Sequence, residues 1–110
     1  MLFRSLAARS ADKLAAVAAA MGGYAVPTDV TVRAQVEALA AAAIAREGRV
    51  DVWVNNAGRG ISRAVAELTD DDLDEMMRVN VKSALYGVQA ILPHMQARGW
   101  GRIEIGRAHV

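Results

Sequence analysis

The sequence contains no cysteine, which excludes a disulfide framework and a thiolate metal site. It has no surplus of one charge either: 13 basic side chains stand against 12 acidic ones, for a formal net charge of +1. The basic residues are not gathered in one stretch, so nothing calls for nucleic acid or an anionic membrane as partner. No apolar run reaches transmembrane length, and Met1 to Arg9 holds no apolar segment of signal-peptide type. Together these absences fit a cytosolic protein. What is present is the material of one small domain: 110 residues, 54% of them hydrophobic, which argues against wholesale disorder. Much of that content is Ala, which buries little area per residue.

The most informative stretch is Val50-Asp51-Val52-Trp53-Val54-Asn55-Asn56-Ala57-Gly58. β-Branched and aromatic residues suit a pleated surface, and a near-continuous apolar run suits a strand covered on both faces. The run stops in two amides, a small residue and a glycine. In open α/β sheets, ligands sit beyond the carboxyl ends of strands, where Asn55 to Gly58 would lie.

On either side the chain alternates. Leu6-Ala7-Ala8 reads as a strand remnant. Ser10 stands at an N-cap position before Leu14, Val17, Ala18 and Met21 at helical spacing, and Gly22-Gly23 ends that helix. Tyr24-Ala25-Val26 is a second strand. Thr31 is placed to cap a helix whose inner stripe is Val36, Leu39, Ala40, Ala43 and Ile44. After the Val50–Val54 strand, Thr69 caps the longest helix, with Asp70, Asp71 and Asp72 in its first turn. Its apolar stripe is Leu73, Met76, Met77, Val81, Ala84, Leu85, Val88 and Leu92. Gly99-Trp100-Gly101 ends it, and Arg102-Ile103 starts another strand. Such alternation argues for parallel βαβ units with right-handed crossovers.

Asn80 falls on the stripe of that long helix, so the spacing predicts a buried amide with hydrogen-bond partners waiting. A purely structural amide would satisfy that pattern too. Asp70 to Asp72 suggest a divalent-metal site less well than a charged first turn. Gly58-Arg59-Gly60 lacks the third glycine of a phosphate loop. His94, beside Pro93, reads as solvated, and Met76, Met77 and Met95 read as core filler.

Asp29-Val30 at one strand end, Asn55-Asn56-Ala57-Gly58 at the next and Val79-Asn80-Val81 in the following helix resemble, in order and spacing, the short-chain dehydrogenase/reductase family. The resemblance runs from Leu6 to Ile103. It implies an α/β fold: a partial, Rossmann-like, doubly wound parallel sheet lacking the first strand and the C-terminal half. It implies an NAD(P)-dependent oxidoreductase that moves a hydride between the nicotinamide and a carbonyl or alcohol substrate. Asn80 matches the Asn of the catalytic tetrad, which distorts its helix so that a backbone carbonyl can hold a water of the proton relay. Asp29 and Val30 match the adenine contacts, and Asn56, Ala57 and Gly58 the wall beside the adenosine ribose. Small residues suit close approach there. Asp29 could equally be a turn carboxylate. Ala8 stands where the family usually has an acidic residue, and Arg9 follows it. A guanidinium suits the 2′-phosphate of NADP, so NADP is expected ahead of NAD. An exposed Arg with its stem along the surface is the plain alternative. No metal is implied, and the parent is expected to be a homo-oligomer, a tetramer or dimer.

The family's Thr-Gly-x-x-x-Gly-x-Gly turn, its Ser and its Tyr-x-x-x-Lys pair do not occur in the sequence. Without the Tyr and Lys, general acid–base catalysis has no group of suitable pKa. The expectation is therefore an inactive fragment of such an enzyme. A non-catalytic dinucleotide-binding or interaction module on the same fold is the alternative. Leu2-Phe3-Arg4-Ser5 and Glu104-Ile105-Gly106-Arg107-Ala108 can be encoded by one DNA sequence read in opposite orientations. Residues 1–5 and 105–110 are accordingly expected to be adapter-derived, and residues 6–103 to be the partial domain. In the doubly wound order 3-2-1-4-5-6, two strand pairs would then flank an empty slot and expose unpaired edges, leaving a poorly stable chain.

Overall fold

The computed structural model describes residues 4–106. Four short strands alternate with helices: β1 (Ser5–Ala8), α1 (Ala11–Met21), β2 (Tyr24–Pro27), α2 (Arg33–Glu47) and β3 (Val52–Asn55). A 3₁₀ turn (Val65–Glu67), α3 (Asp70–Met76), a π-helical segment (Met77–Lys82), α4 (Ser83–Arg98) and β4 (Arg102–Ile105) follow. β1 pairs with β2 and β3 with β4, both in parallel. The described strands form two separate two-stranded sheets, as the doubly wound order predicts for a sheet without its central strand. The radius of gyration, 15.2 Å, exceeds the roughly 13 Å of a close-packed domain this size.

The principal core lies between α2, α4 and the β3–β4 sheet. Ala40, Ile91 and Met95 are buried together, with Ile44, Val50, Trp53, Ala90 and Ile103 packed against them. α1 covers β1 and β2 through Leu14 and Ala18. Left-handed glycines end the helices: Gly22, Gly48 and Gly99 have φ of 67°, 79° and 73°.

Several sequence expectations are corrected. The continuous helical stretch from α3 through α4 does not bury the stripe of its largest residues. Leu73, Met77, Val81, Leu85 and Leu92 are exposed, while Ser83, Gly87, Ile91 and Met95 face inward. The reason is close approach: a Cβ at Gly87 would overlap Asn55 Oδ1 and lie 2.7 Å from Trp53 Nε1. Asn80, expected to be buried, is exposed, although its side chain is fully committed to the Arg59 backbone and the Met76 carbonyl. Thr31 does not cap α2, whose N-cap is Val32 without a side-chain bond. His94 is half-buried rather than solvated, and its Nε2 accepts the Val50 N–H at 3.1 Å. The Arg98 guanidinium donates to the Val50 carbonyl at 3.2 Å. Val50 is thus tied to α4, and β3 starts at Val52. Thr69 behaves as expected, in a reciprocal capping box with Asp72.

Ser5 and Ile105, assigned above to non-natural ends, are paired in β1 and β4. Arg4 and Gly106 extend the same pairs, accepting from Tyr24 and donating to Asn55, and residues 1–3 and 107–110 lie outside the described residues.

Candidate functional site

The carboxyl ends of β1, β2 and β3 converge on one groove of about 350 Å³. Arg9 comes from the first strand end, Asp29 and Val30 from the second, and Asn56, Ala57 and Gly58 from the third. Six residues picked from separate stretches of sequence therefore line one concavity. Ala7, Ala8, Thr28, Thr31, Arg59 and Val79 complete it. None of these six was expected from the sequence to bind the cofactor, although Ala8, Thr31, Arg59 and Val79 were noted there for other reasons. Position was the available signal for Val79, directly before Asn80. The alanines are small enough to leave the groove open.

Local chemistry fixes the rim. Thr28 is buried, its hydroxyl donates to the Val26 carbonyl at 2.9 Å, and its N–H donates to Ala8 at 2.9 Å. β1 and β2 are thereby tied at their ends. Asp29 Oδ1 accepts the Thr31 N–H at 2.9 Å and the Thr31 hydroxyl at 2.6 Å. That is an Asx turn, so Asp29 is the turn carboxylate that composition allowed and also a groove residue. Both bonds fall on Oδ1, leaving Oδ2 uncommitted among the described residues. The Thr31 bonds, with Arg9 and Arg78 nearby, hold the Asp29 carboxyl below the ordinary carboxylate range.

Asn80 sits in the π-helical segment, not in the groove lining. Its Oδ1 accepts the Arg59 N–H at 2.9 Å, and its Nδ2 donates to the Arg59 carbonyl at 2.8 Å. Nδ2 also donates to the Met76 carbonyl at 3.0 Å, the group its own N–H would reach in a regular α-helix. The side chain thus replaces a backbone bond while the helix widens by one residue, and the Ser83 N–H reaches Arg78. Ser83 Oγ donates to the Val79 carbonyl. The same two-point clasp docks the loop after Gly58 onto the helix, and Arg59 reinforces it through Glu75 at 3.0 Å. Single-turn π segments often mark functional sites.

Asn55 turns away from the groove. Its Oδ1 accepts the Trp53 indole N–H at 2.9 Å against Gly87, and its Nδ2 is buried without a protein partner.

Against known proteins, the model of the short chain dehydrogenase family matches residues 3–105. An uncharacterised oxidoreductase of Staphylococcus haemolyticus is 41% identical over 101 residues, 89% of this chain and 44% of that protein. The chain therefore spans under half the length of this relative. Among solved structures, an alcohol dehydrogenase from Thermococcus sibiricus complexed with 5-hydroxy-NADP superposes with a TM-score of 0.82. Identity to it is 28%, covering 91% of this chain and 45% of that one. A 7α-hydroxysteroid dehydrogenase complexed with NADH and 7-oxo glycochenodeoxycholic acid gives 0.85 at 28% identity, covering 92% and 41%. With a family model matching almost end to end and a shared sheet architecture, the chain belongs to the short-chain dehydrogenase family.

Proposed function

We propose that this chain is the adenosine-binding part of an NADP-dependent oxidoreductase acting on a small carbonyl or alcohol substrate. The observation that carries the reading is the convergence of Arg9, Asp29, Val30, Asn56, Ala57 and Gly58 on one groove. The residues fit such a cofactor. Ala57 and Gly58 offer a wall without bulk, Asp29 keeps an uncommitted carboxylate oxygen, and Arg9 enters no ion pair among the described residues. Arg9 would face a 2′-phosphate, and Asp29 Oδ2 would accept from the adenine amino group. When bound, a nicotinamide dinucleotide supplies hydride donation or acceptance. Asn80 would act in catalysis through the distorted helix turn, where a backbone carbonyl would hold a water of the proton relay. No Tyr-x-x-x-Lys pair occurs in the 110 residues, which supports binding without turnover by this chain itself. The exposed ridge Leu73, Met77, Val81 and Leu85 supports packing of the parent against a second copy.

Calorimetric titration with adenosine 2′,5′-bisphosphate and with ADP tests the reading. Tighter binding of the bisphosphate is expected, with Arg9→Ala abolishing the preference. Equal affinities, or binding unchanged in Asp29→Ala and Arg9→Ala, would refute it.

A further inference from the structure

Helix α2 opens without a side-chain cap. Its N-cap is Val32, whose N–H donates to the Asp29 carbonyl at 3.1 Å. Gln35 is the third residue of the helix, where a Gln ordinarily reaches back to the N-cap N–H as half of a capping box. Here that N–H is taken, and the side chain reaches further back along the chain. Gln35 Oε1 accepts the Asp29 N–H at 2.7 Å. The bond satisfies no backbone group of the helix itself; it fixes the groove rim from Asp29 to Val32. The turn that carries Gln35 is in turn held to α4. Arg33 donates to Gln89 Oε1 at 2.6 Å, and its guanidinium lies 4.4 Å from the Tyr86 ring centroid. Along the rim, the N–H groups of Asp29, Thr31 and Val32 are all engaged. The Val30 N–H has no partner among the described residues, and Val30 lines the groove. The Thr31 hydroxyl also falls on Asp29 Oδ1, so Oδ2 is the open acceptor one residue from that open donor.

We propose that Gln35 is a positioning residue that makes this rim discriminate adenine from 6-oxopurines. The inference rests on the nucleotide-binding reading above. Adenine carries an amino donor next to a ring-nitrogen acceptor. The rim offers the complement, Asp29 Oδ2 as acceptor and the Val30 N–H as donor. Hypoxanthine reverses both groups, so oxygen would face oxygen and N–H would face N–H. A site built to bond one pattern rejects the other, because its own polar groups are left unpaired. That rejection holds only while acceptor and donor keep their register. The Asp29 carboxylate and the Val30 N–H flank one peptide unit, and Gln35 anchors the chain directly before it. Gln35 also keeps the Asp29 N–H, a second donor, out of the pattern that the base meets. Gln35 itself touches no part of the base.

Calorimetric titration of the full chain with ADP and with inosine 5′-diphosphate tests this, alongside amide exchange at Asp29. Gln35→Met removes the acceptor at similar size, and Gln35→Glu keeps it. Both replacements are good helix formers at an exposed site, so α2 is retained. The unaltered chain is expected to prefer ADP. Gln35→Met should lower that preference about fivefold, the worth of one net hydrogen bond, and speed exchange of the Asp29 amide. Gln35→Glu should restore both. A side chain that only supports the fold would weaken both nucleotides alike, and an unchanged ratio in Gln35→Met would overturn the inference alone. So would unchanged exchange at Asp29, or no recovery in Gln35→Glu. Equal binding of the two nucleotides by the unaltered chain, or binding of neither, would overturn the nucleotide-binding reading and this inference with it.

Discussion

The two halves of the molecule repeat one plan with unequal success. Around β3 and β4, helices α2 and α4 cross and seal an interior in which Ile91 and Val36 are 0% and 2% exposed. Around β1 and β2 the described packing comes chiefly from α1, with Leu14 and Ala18 buried while Val17, Met21 and Tyr24 stay 40–48% exposed. The difference is the number of layers: a two-stranded sheet with one helix has too little to bury, whereas one shared by two helices closes a core. The groove lies across the seam, its floor anchored on the better-packed half and its Arg9–Asp29 wall on the looser one.

The sharpest way to break that contrast is a cavity in each half. Ile91→Ala should destabilise the chain by about 2–5 kcal/mol in a denaturant titration, and Leu14→Ala by the low end of that range, because its neighbours can collapse into solvent-accessible space. Equal losses would remove the distinction. Next, Gly87→Ala should cost about 1–3 kcal/mol by driving α4 off Asn55 and Trp53. Tryptophan fluorescence should report the displacement. A smaller effect, about 1 kcal/mol, is expected from Asn80→Ala, which loses its bonds to Arg59 at an exposed site. Amide exchange at Arg59 should accelerate while that of the β3–β4 pair does not. Thr69→Ala should cost a similar amount by opening the α3 capping box.

The least effect is a pH response of the looser half. The folded-state pKa of Asp29 lies below its unfolded value, chiefly through the Thr31 hydroxyl and N–H. The stabilisation is therefore complete above the unfolded value of about 3.9 and is lost as pH falls through the folded value. Asp72 shifts the same way, first through the Thr69 N–H. Denaturant midpoints recorded from neutral pH downward should fall less steeply for Asp29→Asn, and least for Asp29→Asn with Asp72→Asn. An unaltered slope would show that the Asx turn adds nothing.

The alternation of strands and helices was legible because period, caps and glycines are local signals: Val36, Leu39, Ala40 and Ala43 are buried as their spacing says. The groove residues were legible because strand ends carry small and polar residues in a recognisable order. The inner face of α4 was not. Hydrophobicity ranks Leu73, Met77, Val81 and Leu85 above Ser83 and Gly87, but a helix lies closest to a sheet where its side chains are smallest. Val79 and Arg59 were missed for a related reason. Neither type announces a site, and each enters the groove because a neighbour, Asn80, ties helix and loop together.

The sequence by itself determined the order of elements, their parallel sense, the family and the strand ends that carry the candidate site, since each rests on residues close together along the chain. Tertiary structure alone decided which face of α4 turns inward and that Asn80 bridges two segments in the open. Those outcomes depend on how closely backbones approach across long stretches of chain, and side-chain spacing along one segment carries no record of that distance.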